Sequence, residues 1–142
     1  MYTVSQLLDS KGRQYFAIEP QEPVLRALEL MAAEHVGALL VMSGDVLLGV
    51  ISERDYARKV ILKNRASYDT PVRDIMTSPP ITVAPDQSVH RCMQVMTEQR
   101  VRHLPVVDNG KVIGVLSIGD LVKAMLQEQS EHIEQLERYI AG

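Results

Sequence analysis

The apolar positions of this chain change period in a fixed order. Val24, Leu28 and Met31 fall at helical spacing, and so do Val89, Met93 and Met96. After each of these amphipathic stretches come two apolar runs, residues 38–42 with 46–51 and residues 104–107 with 112–116. The runs are strand-sized. Ser43-Gly-Asp separates the first pair and Asp108-Asn-Gly the second, and Asn-Gly is a strong hairpin signal. A short strand precedes each helix, at residues 15–18 and 81–83, and a turn containing proline follows it. Ser52 and Ser117 each open a second helix. The pattern predicts β-α-β-β-α written twice, with a mostly polar linker at residues 64–70 that ends before Pro71.

The two copies align without a gap. Residues 20–60 set against 85–125 give 11 identical pairs among 41, including Pro20/Pro85, Met31/Met96, Gly49/Gly114, Ser52/Ser117 and Asp55/Asp120. Most other apolar positions are like for like, as at Leu28/Met93 and Leu48/Ile113. Upstream, Val4-Ser-Gln-Leu-Leu resembles Val72-Arg-Asp-Ile-Met, and Phe16-Ala-Ile resembles Ile81-Thr-Val, with three extra residues in the first copy. One unit of about 60 residues is marginal alone. The expected fold is therefore α+β: two repeats packed through their sheets about a pseudo-two-fold axis, with clefts where the copies meet.

Each copy carries Gly-Val-φ-Ser-x-x-Asp (φ apolar), as GVISERD at residues 49–55 and GVLSIGD at 114–120. The plain reading is helix capping. Serine is a favoured N-cap, and an acidic residue three positions later suits the positive end of the helix. The same geometry also suits a ligand. N–H groups at a helix start attract phosphate, the serine hydroxyl adds a donor, and the aspartate can accept two hydrogen bonds from a ribose diol. Gly49 and Gly114 would let a ligand or a neighbouring strand approach closely. Phosphate plus ribose means a nucleotide.

These residues carry a family resemblance. GVISERD and GVLSIGD, with Val101-Arg-His-Leu-Pro-Val-Val-Asp-Asn-Gly-Lys-Val-Ile-Gly-Val and Val72-Arg-Asp-Ile-Met-Thr, resemble CBS (cystathionine-β-synthase-type) repeats. The whole is similar to a stand-alone CBS pair, or Bateman module. On this reading residues 1–66 are the first repeat, 67–127 the second, and 128–142 a C-terminal helical extension. The resemblance implies adenosine ligands (AMP, ADP, ATP, S-adenosylmethionine or NAD) bound in the clefts between repeats. It implies that Asp55 and Asp120 hold ribose and that Ser52 and Ser117 contact phosphate. Adenine would lie against Ile18, Gly37, Ala38 and Leu39, and against Thr82, Val83, Arg102, His103, Leu104 and Pro105. Arg54 and Arg102 are candidate phosphate partners, and Glu53 would oppose a polyphosphate. The small Gly37-Ala38 pair against the large Arg102-His103 pair implies that the two clefts bind unlike ligands. The Ser117–Asp120 site is expected to be the better formed.

Composition narrows the classes. Hydrophobic content of 46% supports a core without staples, and the single cysteine, Cys92, excludes an internal disulfide or a multi-thiolate metal site. Cys92 aligns with Ala27 and reads as a small buried residue in a reduced, cytoplasmic setting. Residues 1–10 have no signal-peptide pattern, and no apolar run approaches the roughly 18–20 residues of a membrane span. A net charge of −3 with mixed signs, no tryptophan and one phenylalanine argue against nucleic acid as partner. His35 and His90 read as surface residues, none of the four histidines (His132 included) has metal-ligand spacing, and His103 is placed at a cleft by the resemblance. No G-x-S-x-G or P-loop pattern occurs. The tail carries Val122, Met125, Ile133, Leu136 and Ile140 on a polar background, which reads as a lid over its own module or, preferably, a homodimer contact. The expected function is a regulatory nucleotide sensor, not an enzyme, that signals to an unidentified effector protein by altering the rigidity or tilt of the repeats. The competing reading is a ligand-independent interaction module whose Ser-x-x-Asp motifs only cap helices.

Overall fold

A computed structural model describes residues 2–141. In chain order the elements are α1 (Val4–Lys11), β1 (Ala17–Ile18), α2 (Val24–Glu34), β2 (Ala38–Ser43), β3 (Val46–Ser52), α3 (Glu53–Tyr56), a π-helical turn (Ala57–Ile61), a 3-10 turn (Val72–Asp74), α4 (Val89–Gln99), β4 (His103–Asp108), β5 (Lys111–Ser117) and α5 (Ile118–Ala141). They form two compact units. The first is Gln14–Ile81; the second joins residues 2–13 to 82–141. α1 thus packs with elements that lie some eighty residues downstream.

The first unit holds a three-stranded sheet ordered β1-β2-β3, with β1 parallel and β3 antiparallel to β2. Its core gathers Ile18 from β1, Val24, Ala27 and Met31 from α2, Leu39, Val41 and Ile51 from the hairpin, and Val60, Val72 and Ile75 from the later turns. The second unit has the hairpin β4-β5, with Val89, Cys92 and Met96 of α4 and Leu104, Val106 and Leu116 of the strands all buried. The duplication extends to backbone detail. Ala38 faces Ser52 as His103 faces Ser117, and the ladders slip at Val41/Met42 and at Val106/Val107. α2 and α4 end on left-handed residues, His35 and Arg100, each with φ 56°. Asn109 and Gly110 both have positive φ, as a tight primed hairpin turn requires.

Four expectations are corrected. The first strand is Ala17–Ile18 rather than residues 15–18, because only these two residues pair with Leu40 and Val41. Residues 81–83 form no strand; Val83 alone bridges β4, through bonds with Pro105 and Val107. The helix after Ser52 is interrupted: α3 gives way to the π turn, in which Leu62 N–H reaches Ala57 O at 3.1 Å. Its counterpart α5 runs unbroken for 24 residues. Residues 64–70 are no loose linker. Thr70 is buried, its hydroxyl donates to Ala66 O at 2.6 Å, and its carbonyl accepts from Val24 N–H at 2.8 Å.

The segments that open the two repeats act as arms, and each docks in the same way. Val4 N–H donates to Gln87 O, and Val72 N–H to Glu22 O, both at 2.8 Å. Ser5 N–H reaches Pro85 O, and Arg73 N–H Pro20 O, both at 2.9 Å. Val89 N–H returns a bond to Tyr2 O at 3.0 Å, as Val24 does to Thr70. Each arm then crosses a hairpin strand at its glycine. A Cβ on Gly49 would stand 2.5 Å from Thr77 O and 3.0 Å from Met76 Sδ; one on Gly114 would stand 2.8 Å from Leu8 Cδ2. The close approach that these glycines permit is by chain. Gly49→Ala should therefore lower stability by about 1–3 kcal/mol, as overpacking does. Gly114→Ala should cost less, because the Leu8 side chain can turn aside where a backbone oxygen cannot. Urea unfolding of both variants checks this ordering.

Candidate functional site

Each Gly-Val-φ-Ser-x-x-Asp motif carries a strand directly into a helix. In the first unit Ser52 keeps extended backbone (φ −126°, ψ 165°) and caps α3. Asp55 N–H donates to Ser52 Oγ at 3.2 Å, and Asp55 Oδ2 accepts from Ser52 N–H at 2.9 Å and from its hydroxyl at 3.0 Å. This is a reciprocal capping box closed by aspartate. Glu53 N–H goes to Gly37 O at 3.1 Å. Two of the first helical N–H groups expected to face phosphate are thus already bonded. Lys59 Nζ stands 3.4 Å from Asp55 Oδ1 and donates to Ile75 O at 2.9 Å.

The second unit repeats the device with one change. Asp120 N–H donates to Ser117 Oγ at 3.2 Å, Ser117 N–H to Asp120 Oδ2 at 2.8 Å, and Ile118 N–H to Arg102 O at 2.9 Å. Here the lysine comes from α1. Lys11 Nζ donates to Asp120 Oδ2 at 2.6 Å and to Val115 O at 2.8 Å. Burial pushes the Asp120 carboxyl up, but the hydrogen bonds from Lys11 and Ser117 and the Lys11 charge outweigh it and hold the group below its ordinary 3.8. Lys11 was missed in the sequence because its partner lies 109 positions away. One signal was present: Lys59 follows Asp55 by four residues, whereas Ala124 stands at that place after Asp120.

In the second unit Thr82, Val83, Arg102, His103, Leu104, Pro105, Ser117 and Asp120 come together. Val83 lies against β4, His103 faces Ser117, and Arg102 meets the start of α5. Arg102 and Thr82 are exposed, and Leu104 and Pro105 are buried. The first unit gathers Gly37, Ala38 and Leu39 with Ser52, Arg54 and Asp55; Ile18 pairs further along β2, with Val41. His90 Nε2 lies 3.2 Å from Glu128 Oε2. Cys92 is fully buried, and burial pushes its thiol up to about 11, so it is inert as a nucleophile. Among the described residues no group of three or more His, Cys, Asp or Glu side chains is placed to hold a metal, and no helix is long and apolar enough to cross a membrane.

A family model for the CBS domain matches residues 8–62 and again 72–127. The chain belongs to the CBS-domain family. This CBS pair is 40% identical over 149 residues to the mitochondrial CBS domain-containing protein CBSX3 of Arabidopsis thaliana, covering 99% of this chain and 72% of that protein. It is 49% identical to the solved structure of a protein with CBS domains from Burkholderia ambifaria MC40-6, with TM-score 0.87, 90% of this chain and 96% of that one covered. It is 29% identical to the CBS domain protein PAE2072 of Pyrobaculum aerophilum, solved in complex with AMP, with TM-score 0.78 and coverages of 92% and 99%.

Because Asp120 is held low, its contribution to folding is complete above its ordinary value and is lost as pH falls through the lower folded value. Lys11→Met removes the ammonium and should raise the folded value, shrinking that loss below about pH 4. Urea midpoints measured across this range in wild type and variant test it; parallel curves would separate Lys11 from the acid limb.

Proposed function

We propose that this CBS pair is a regulatory module that binds an adenosine nucleotide (AMP, ADP, ATP or NAD) and acts by binding rather than turnover. The observation that carries the reading is the doubled Ser–Asp device. Twice, in one register, a strand end delivers a serine and a carboxylate beside the start of its hairpin partner, in a family where a solved neighbour, PAE2072, holds AMP. Ser117 and Asp120 would take phosphate and ribose, with Thr82, Val83, Arg102, His103, Leu104 and Pro105 around the base. Ser52, Asp55 and Arg54 would do the same beside Ile18, Gly37, Ala38 and Leu39. A ribose diol at Asp120 would share the carboxylate with Lys11, so occupancy would be felt by α1. The signal would pass to an effector protein or through pairing with a second copy of the chain. The cytoplasm is the compartment we favour for it; the Arabidopsis relative is mitochondrial.

A second reading has an observation of its own. Both motifs are internally satisfied capping boxes, and Asp120 already has a cation. A ligand-independent interaction module would need nothing more. Calorimetric titration with AMP, ADP, ATP and NADH, on protein first freed of nucleotide, separates the two. A sensor should bind at least one of them, and Asp120→Ala or Asp55→Ala should weaken that binding at least tenfold while circular dichroism shows the fold retained. If capping is the whole role, no nucleotide gives heat and Asp120→Ala costs only ~0.5–2 kcal/mol of stability.

A further inference from the structure

Past Glu131, which accepts from the Tyr2 hydroxyl, the last part of α5 carries only exposed side chains. From Gln129 to Ala141 every described side chain is exposed. Among them are Ile133, Leu136 and Ile140, the last 83% accessible. A helical projection of this length is marginal in water unless it packs on something. Its apolar residues are not scattered. Val122, Leu126, Gln129, Ile133, Leu136 and Ile140 follow alternating steps of four and three, the seam of a two-stranded coiled coil, with Gln129 the single polar member. Glu131, Glu134 and Arg138 occupy the other side, and Arg138 pairs with Glu134 at 3.9 Å.

We infer that this seam is where two copies of the chain join, α5 against α5, antiparallel. The order of the seam is palindromic. When Val122 meets Ile140 of the second copy, Leu126 meets Leu136 and Gln129 meets Ile133, so every layer is used twice. The flanks agree. On one side of the seam lie Lys123 and Glu137, and on the other Met125 and Tyr139. Antiparallel pairing sets Lys123 against Glu137 of the second copy and Met125 against its Tyr139, an ion pair and a sulfur–aromatic contact, each made twice. A parallel pair would set Lys123 against Ile118 and Glu137 against His132. Gln129 at the centre gives up some stability and fixes the register.

The inference rests on the pairing of the chain with itself named above, and it does not depend on nucleotide binding, which calorimetry tests separately. Light scattering on the full chain should give twice the 15.9 kDa protomer. Ile133→Glu with Leu136→Glu should give the single protomer with helicity retained. A wild type monomeric at every concentration, or a dimer that survives both changes, overturns the seam. Orientation is read with cysteines, since buried Cys92 does not compete. Leu126→Cys chains mixed with Leu136→Cys chains should form a mixed disulfide under mild oxidation, whereas either alone should not; self-linking of either one overturns the antiparallel pairing.

Discussion

The structure depends on the docking of two arms. Residues 2–8 and 70–76 each hold their unit by the same three backbone hydrogen bonds, and each buries a valine, Val4 or Val72, that is fully inaccessible. Each ends against a strand that has been cleared by a glycine. The bonds satisfy N–H and carbonyl groups at the starts of α2 and α4 that would otherwise be left unpaired at a buried helix end. The arm that closes the second unit opens the first repeat, and the arm that closes the first unit opens the second. Neither repeat's own sequence therefore contains all of the unit in which its strands fold, and the duplication is an exchange as much as a repetition.

That exchange reaches the candidate site by a short path. On the first unit's β3, Val50 O accepts from Thr77 N–H at 2.8 Å, a backbone bond from the arm. On β5 the equivalent carbonyl, Val115 O, accepts at 2.8 Å from Lys11 Nζ. Replacing a backbone donor with an ammonium frees that group to bond a second acceptor, and the acceptor it takes is Asp120. The motif's glycine and its aspartate are thus served by the same arm, the glycine by Leu8 and the aspartate by Lys11, one turn apart on α1.

Much of this was legible in the sequence. Helical spacing located α2 and α4, Asn109-Gly110 located the hairpin turn, and the gapless alignment foretold two like units 65 residues apart. Capping by Ser52 and Ser117 followed from the residue types. What was not legible depends on contacts between distant segments. A two-residue strand exists only through its partner, so the length of β1 and the absence of its counterpart at residues 81–83 could not be read from propensity. Gly49 and Gly114 announced a close approach but not its source, ligand or chain. The resemblance between residues 4–8 and 72–76 was visible, yet nothing in it said that each arm would close the other repeat's unit.

The two sites that arose by duplication have kept the backbone and diverged in how the carboxylate is compensated. Asp55 is served by Lys59 from its own helical stretch, and Lys59 reaches the first unit's arm only through a backbone carbonyl, Ile75 O at 2.9 Å. Asp120 is served by Lys11 from an element that the second repeat does not encode. A group that donated hydrogen bonds to Asp120 would compete with Lys11, and any free energy it spent displacing that ammonium would appear as weaker attachment of α1. Linkage requires the converse as well: whatever holds α1 down must oppose such a ligand by the same amount. In both units, then, a lysine ties the motif's aspartate to the arm: Lys59 bonds an arm carbonyl in the first, and Lys11 is itself part of α1 in the second.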